Sequence, residues 1–502
     1  MENLFDIETA EQQADTLALR AYTSRLLGGE HALVMHGGGN TSVKVRENGE
    51  DILYIKGSGA DLGQVSAADF APVRLAEVQR LIDLDVLDNI QLVEAFRAAL
   101  KNPAAPRPSI ETLLHAVLPF PWVEHTHADA VLAVADTADG EAHVRAALGD
   151  AAVIVPYRHS GFELAKACHN VYTRHATPKT IGMVLMHHGI FAFGHSARES
   201  YENMITLVNR AEEYLKGHQA WDIPLEFGRG RQVQEQSSGA ASLELAALRR
   251  DISLAAGAPL ILSVFSDLFS LAFARRADLP GFARRGPATP HHAVFAKRLP
   301  LLGGDVADYA RDYRRYIAEN APADAAWLPD PAPRIVFDPQ WGLCAVGVNA
   351  HYAQVVGEIA QHAMRIQARA EALAGYRSLP PREVLAAEIE YGGFEDKVRR
   401  SQPLAGQVAL VADAVSRQGE IAKLMEGGAA VIGLGEEAAV TTLFRVPAFL
   451  GVRCVSAERS ALEAALEQGV RAFGGIDRLV GGDAALQAAC RPFLALSPLS
   501  SS

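Results

Sequence analysis

Two imidazoles stand one residue apart in the stretch Val123-Glu124-His125-Thr126-His127-Ala128-Asp129-Ala130. In an extended chain alternate side chains share a face, so His125 and His127 can reach the same divalent metal ion. Taken alone the pair has a second reading, two polar residues on a half-exposed strand. A second apolar run, Met183-Val184-Leu185-Met186, ends at His187-His188 and turns at Gly189. A third imidazole brought beside the first two gives a three-histidine site with an open position, the pattern of a catalytic rather than a structural metal. Strand parity puts His188 on the face of Met186 and His187 on the other, so His188 is the expected third ligand and His187 the alternative.

A carboxylate that could work beside such an ion is Glu111, in Arg107-Pro108-Ser109-Ile110-Glu111-Thr112-Leu113-Leu114-His115. Pro108 and Ser109 stand where a helix N-cap belongs, and Glu111 falls in the first turn. There it could move a proton at a carbon next to a metal-polarised carbonyl, or serve only to offset the helix dipole. His115, one turn on, reads as structural or as a partner supporting the site. Two Gly-rich loops, Gly37-Gly38-Gly39-Asn40-Thr41-Ser42 and Lys56-Gly57-Ser58-Gly59, offer closely spaced backbone N–H groups that suit a substrate phosphate, or are simply tight turns. Neither is a P-loop or a dinucleotide fingerprint, and Gly433-Leu434-Gly435 is too short to be one. His291, His292 and Lys297 could line a cleft in the middle of the chain, with a surface loop the favoured reading.

The elements needed to hold these groups follow from pattern. Residues 7 to 28 read as a helix ending at Gly28-Gly29, followed by strands at Leu33–Met35, Val43–Val45 and Ile52–Ile55. Helix and strand patterns then alternate to about Lys216. The aperiodic run rich in Gly, Ser and Gln from Gly217 to Ser242 marks a boundary. Three domains are expected: 1–220, 241–400 and 401–502. The middle one echoes the first twice. Ser66–Leu75 resembles Thr289–Leu299, and His188–Gly194 resembles Trp341–Gly347, so it is a candidate degenerate repeat. The last opens as a strand, a helix with Ile421 and Leu424, and a second strand, the start of a βαβ unit.

A length of 502 residues, 49% hydrophobic and 21% charged, is that of an ordinary globular chain of several domains. A net charge of −12 argues against a nucleic-acid or anionic-membrane surface and favours a small-molecule substrate. Four scattered cysteines, Cys168, Cys344, Cys454 and Cys490, form no CxxC pair and suit a reducing cytoplasm. The acidic N-terminus lacks the pattern of an export signal, and no apolar run reaches about 18 residues, so neither export nor membrane anchoring is expected.

In order, Gly-Asn-Thr-Ser, Lys-Gly-Ser-Gly, Pro-Ser-Ile-Glu, His-Thr-His and His-His-Gly resemble the class II aldolase/adducin family over residues 10 to 216. That resemblance implies an α/β fold with a central sheet flanked by helices. It also implies zinc or another divalent metal on His125, His127 and His188, Glu111 as the acid/base, and a phosphate pocket drawing on Asn40, Ser58, Gly59 and Ser109. Ile110 stands where many phosphate-using members carry a second serine. The implied reaction is reversible cleavage of a ketose or ketose 1-phosphate, through a metal-stabilised enediolate, into a dihydroxyacetone-type fragment and an aldehyde. Epimerisation, dehydration or decarboxylation on the same site, and a non-catalytic adducin-like scaffold, are the alternatives. A homo-oligomer, dimer or tetramer, is implied as well.

The whole chain is similar to the long subgroup that joins a rhamnulose-1-phosphate aldolase to a short-chain dehydrogenase, which implies a 6-deoxy-ketose 1-phosphate as substrate. The dehydrogenase part departs from its pattern. Ala412 to Gly419 replaces the pyrophosphate-binding turn, Gly481-Gly482-Asp483-Ala484 replaces the NNAG element, and no tyrosine follows Tyr391. The C-terminal segment is therefore expected to be a partial Rossmann-like remnant, with no NAD bound.

Overall fold

The computed structural model describes residues 1–223, 238–454 and 459–501. Most of the expected boundary between 217 and 242 lies outside them. The chain forms two compact units, one of Met1–Ile223 with Arg365–Ser378, the other reaching Met364 and resuming at Leu379.

The first unit is built on a seven-stranded sheet: β1 (Asn40–Glu47), β2 (Glu50–Lys56), β3 (Phe70–Arg74), β4 (Trp122–Thr126), β5 (Ala152–Val155), β6 (Gly182–Leu185) and β7 (Gly189–Gly194). Their order is β3-β2-β1-β4-β7-β6-β5, antiparallel throughout except for the β5–β6 pair. Asn48 and Gly49, both at positive φ, close the β1–β2 hairpin as its twist requires. Alternation along β6 and β7 feeds two cores. Val184, Ile190 and Ala192 pack with the helices Asp129–Ala135 and Ala197–Gly217. Met183, Leu185, Phe191 and Phe193 pack with Thr112–Val117 and Phe162–His175 on the other face. All five residues of β4, in mid-sheet, are buried.

Local order departs from the sequence reading in places. The expected helix over 7–28 is two, Ile7–Glu11 and Thr16–Gly28, because the Asp15 side chain accepts from the backbone N–H groups of Leu17 and Ala18 and starts a second helix. Leu33–Met35 is not a strand. Leu33 and Val34 donate to the carbonyl of Glu30 in a turn, and the Leu33 carbonyl accepts from His127. Glu111 is not in a first turn either, but is itself the N-cap position of Thr112–Val117.

The second unit holds two four-stranded sheets. One, β8-β11-β10-β9, comprises Ile261–Phe265 (β8), Leu301–Leu302 (β9), Ile335–Asp338 (β10) and Gly342–Gly347 (β11). The other, β14-β13-β12-β15, is all parallel, with β12 (Val408–Val411), β13 (Ala430–Gly435), β14 (Phe449–Arg453) and β15 (Arg478–Val480). This is the partial Rossmann-like arrangement, with β14 an added strand that the sequence reading passed over. A single core joins the sheets, with Leu262, Val346, Leu410 and Ile432 in one cluster. The buried Arg249–Asp477 ion pair, 2.6 Å, bonds further to the carbonyls of Leu260 and Gly406.

Of the two echoes, one is structural. His188–Gly194 and Trp341–Gly347 each give a six-residue strand, β7 and β11, followed by a long helix, Ala197–Gly217 and Ala350–Ala374. The other is not, since Phe70–Arg74 is strand where Pro290–Ala296 is helix.

Candidate metal centre

His125 is on β4 opposite Phe191 of β7, and its ring stacks on that phenyl at 4.3 Å between centroids. Its Nδ1 lies 3.1 Å from the carbonyl oxygen of Ile190. A carbonyl only accepts, so Nδ1 carries the proton and the Nε2 lone pair is left for a ligand. His127 is one residue beyond the strand, held by its backbone bond to Leu33. His188 is in the tight β6–β7 turn, its N–H bonded to the Leu185 carbonyl. One nitrogen from each of the three imidazoles falls within 4.8 Å of the others, and all three side chains are buried. His187 is excluded from the group, because its Nδ1 pairs with Asp136 Oδ1 at 3.0 Å.

Gly189 is what allows the approach. A β-carbon there would lie 2.4 Å from the Thr126 carbonyl oxygen, 2.9 Å from His127 Cδ2 and 3.0 Å from His125 Cε1.

Glu111 faces the same space. Its Oε2 is 3.4 Å from His125 Nε2 and its Oε1 3.3 Å from His188 Nε2. Burial opposes its charge, but the facing His188 and a bond from Asn40 Nδ2 (2.5 Å) favour it, and the carboxyl is held below its ordinary range. Burial lowers His125 to about 4, so it is neutral, the form that binds metal. Within the described residues His125 Nε2 and Glu111 Oε1 are buried with no hydrogen-bond partner. Lone pairs so placed fit a divalent cation.

Asn40 is oriented from behind. Its Oδ1 is 2.5 Å from His115 Nε2, and His115 Nδ1 is 2.8 Å from Ser42 Oγ. Nε2–H therefore donates to the amide and Nδ1 accepts from the hydroxyl, which turns the amide N–H toward Glu111. Burial lowers His115 to about 3 and keeps it neutral in this role. His115 thus supports Glu111 through Asn40.

The four residues expected around a phosphate divide. Asn40 and Ser109 are buried beside Glu111, with Asn40 Nδ2 donating to Ser109 Oγ at 3.2 Å. Ser58 and Gly59 are exposed. The Ser58 N–H donates to the Arg107 carbonyl at 2.8 Å, and Arg107 Nη2 donates to Ser58 Oγ at 3.0 Å. The sequence reading missed two cations here, Arg107 and Lys56. Lys56, 2% exposed, donates from Nζ to the carbonyls of Gly37 and Ala60, tying the two Gly-rich loops together, and burial lowers it to about 8. Its signal was a lysine ending an apolar strand. Also missed was Arg20–Glu124, a fully buried pair at 2.7 Å beneath β4.

Lys297, expected on a surface loop, is buried, as is His292. It borders a cavity of about 240 Å³ with Asp330, Arg334, Glu388 and Glu395. These charges largely pair among themselves: Lys297 with Asp330 at 2.9 Å, and Arg334 with Asp330 and Glu395 at 2.5 and 2.8 Å. Among the described residues no helix is long and apolar enough to cross a membrane.

Residues 18–215 match the class II aldolase and adducin N-terminal domain, and residues 239–398 match the second domain of class II aldolases. The uncharacterized oxidoreductase YuxG of Bacillus subtilis (strain 168) is 27% identical over 523 residues, covering 96% of this chain and 74% of that protein. Among solved structures, the N-terminal class II aldolase domain of a conserved protein from Thermoplasma acidophilum is 34% identical, covering 43% of this chain and 99% of that one, at a TM-score of 0.40. An L-fuculose 1-phosphate aldolase is 15% identical over 46% of this chain and 92% of its own, at 0.29. A sugar-phosphate aldolase from Thermotoga maritima is 14% identical over 42% and 97%, at 0.32. By its two domain matches, the chain belongs to the class II aldolase/adducin family.

Proposed function

We propose that this protein is a zinc-dependent aldolase that reversibly cleaves a ketose or ketose 1-phosphate, such as a 6-deoxy-ketose 1-phosphate, into a dihydroxyacetone (phosphate) fragment and an aldehyde. The observation that carries the reading is the convergence of His125, His127 and His188 within 4.8 Å, with the Glu111 carboxylate 3.3 to 3.4 Å from two of them. A scaffold has no physical use for three buried imidazoles facing a carboxylate whose other bonds are already arranged.

The three histidines would hold the ion. When bound, it supplies Lewis-acid polarisation of the substrate carbonyl. Glu111, anionic and aimed by Asn40, takes up or returns the proton at the carbon next to that carbonyl. Asn40 stays fixed through His115 and Ser42, so the carboxylate does not have to reorganise as charge moves. Phe191 and the surrounding apolar core exclude water from the His125 side. Ser58 and Gly59 would receive the substrate's phosphate, with Arg107 and Lys56 supplying positive charge. The protein would work in the cytoplasm as a homo-oligomer, on a small sugar alone and without NAD.

The test is metal content by elemental analysis of untagged protein, with His188→Ala as control, followed by a chelator-sensitive cleavage assay on ketose 1-phosphates. About one ion per chain, lost in the variant, together with release of dihydroxyacetone phosphate, supports the reading. A chain that neither carries nor takes up zinc, cobalt or manganese refutes it and favours the adducin-like scaffold.

A further inference from the structure

The turns carrying His127 and His188 are linked by one short helix, Asp129–Ala135, and both of its ends are gripped. Asp129, two residues after His127, is 3% exposed, and its Oδ2 lies 3.7 Å from Arg369 Nη1. Asp136, just past the last turn, has no exposed surface and meets His187 Nδ1 at 3.0 Å. His187 precedes His188 and has a φ of 56°, a region that disfavours any residue with a β-carbon. The turn that presents His188 therefore depends on what holds the His187 ring.

The groups that hold this helix come from far along the chain. Arg369, Tyr376 and Arg377 lie in Arg365–Ser378, which packs in the first unit although it follows Ile223 by more than a hundred residues. The Arg377 N–H donates to the Asp136 carbonyl at 2.8 Å, and Tyr376, with no exposed surface, forms a β-bridge with Thr137. Arg369 sits 3.7 Å over the Trp221 ring, and its Nε donates to the Trp221 carbonyl at 3.2 Å. The segment is thus anchored at both ends of the helix.

Asp136 is costly if its role is stability alone. Within the described residues its carboxylate oxygens have no hydrogen-bond partner, and its ion pair is with His187. An apolar residue would pack there at lower cost. A carboxylate is of use where a particular ring orientation has to be fixed.

We propose that Asp136 and Arg369 are positioning residues for the metal centre, and that residues 365–378 form a brace which the aldolase-type domain takes from sequence beyond its own boundary. The inference rests on the metal reading given above. It makes the three-histidine geometry depend on a segment that joins the site through Asp129, Asp136 and Thr137.

The test uses the full chain, stripped of metal and titrated with Co2+, whose visible absorption reports ligand number and symmetry. Asp136→Ala and Arg369→Ala are expected to weaken cobalt binding by about tenfold or more, as outer partners of metal ligands do, and to change the shape of the absorption band. Asp136→Asn keeps an oxygen acceptor for His187 and should recover most of the affinity. Arg369→Gln and Asp136→Leu are the milder variants should Arg369→Ala or Asp136→Ala not fold, and circular dichroism of the metal-free proteins separates misfolding from mispositioning. Folded variants at both positions, the alanine forms or Asp136→Leu and Arg369→Gln in their place, with wild-type affinity and spectrum overturn the brace alone. A wild-type chain that takes up no cobalt overturns the metal reading and the brace with it.

Discussion

Gly189→Ala should abolish metal binding before it unfolds the protein. The added β-carbon would lie 2.4 Å from the Thr126 carbonyl oxygen, inside the 3.0 Å that real β-carbons essentially never breach. Thr126 pairs with Ile190 across the β4–β7 ladder, so the carbonyl cannot rotate away without breaking that pairing. Relief therefore takes a separation of about 0.6 Å between β4 and the β6–β7 turn. The strand pair carries His125 on one side and His188 on the other. Ligand distances in metal sites hold to about 0.2 Å, so a shift three times as large should weaken or abolish binding. The same overpacking costs about 1–3 kcal/mol in stability, which a unit with two extensive cores can absorb. Urea unfolding and cobalt titration on the same preparation check both halves. A variant that binds cobalt as tightly as wild type, with an unshifted unfolding midpoint, would refute the steric argument and with it the claim that Gly189 sets the spacing of the histidines.

Glu111→Gln should retain the metal but lower cleavage by about 10²–10⁴-fold, read by elemental analysis beside the aldolase assay; undiminished activity would remove Glu111 from the chemistry. Replacing Glu124 by Leu strands the buried Arg20 guanidinium and should cost about 3–5 kcal/mol. Adding Arg20→Leu should recover part of that loss, so a strictly additive double-mutant cycle in urea would contradict the pairing. In the second unit, burial pushes Glu388 up from an ordinary 4.5 to about 7, and Tyr313 donates to it. Between those values the folded chain keeps a proton that the unfolded chain has lost, so stability falls as pH rises through that window, by roughly 3 kcal/mol at most. Glu388→Gln should flatten the fall, and unfolding midpoints at pH 5 and pH 8 would show whether it does.

What the sequence made legible was whatever a short period decides. The pair His125 and His127 and the choice of His188 over His187 were legible as a group that the structure brings together, although His127 lies one residue past β4 and His187 and His188 sit in a turn, where strand parity does not apply. Glu111 was legible as a residue at a helix start, though the helix begins one residue after it rather than before it. Asp15 was not legible as a helix break, because an aspartate inside a run of helix formers caps a new helix only if the chain bends there, and tertiary packing decides that. The residues expected around a phosphate were legible as a group but not as the divided set found, since the sequence does not show that the Asn40 amide is engaged by His115 and Glu111.

The support behind the site shows the same limit from the other side. Parity along β4 puts Glu124 and Thr126 on the face opposite His125, and the structure buries that carboxylate, so it must find partners there. It does not name them. They are Arg20, 104 residues earlier, at 2.7 Å, and Ser200, 76 residues later, whose hydroxyl takes the other oxygen at 2.7 Å. Arg20 in turn bonds to the carbonyl of Ser42 and lies over the ring of Trp122. Ser42 is the residue whose hydroxyl orients His115, and through it Asn40 and Glu111. Removal of Glu124 should therefore loosen both the strand that carries His125 and the chain of bonds that aims Glu111. A period of two fixes which way each side chain points, whereas the coupling between His125 and the Glu111 carboxylate exists only once residues far apart in sequence close on the same strand.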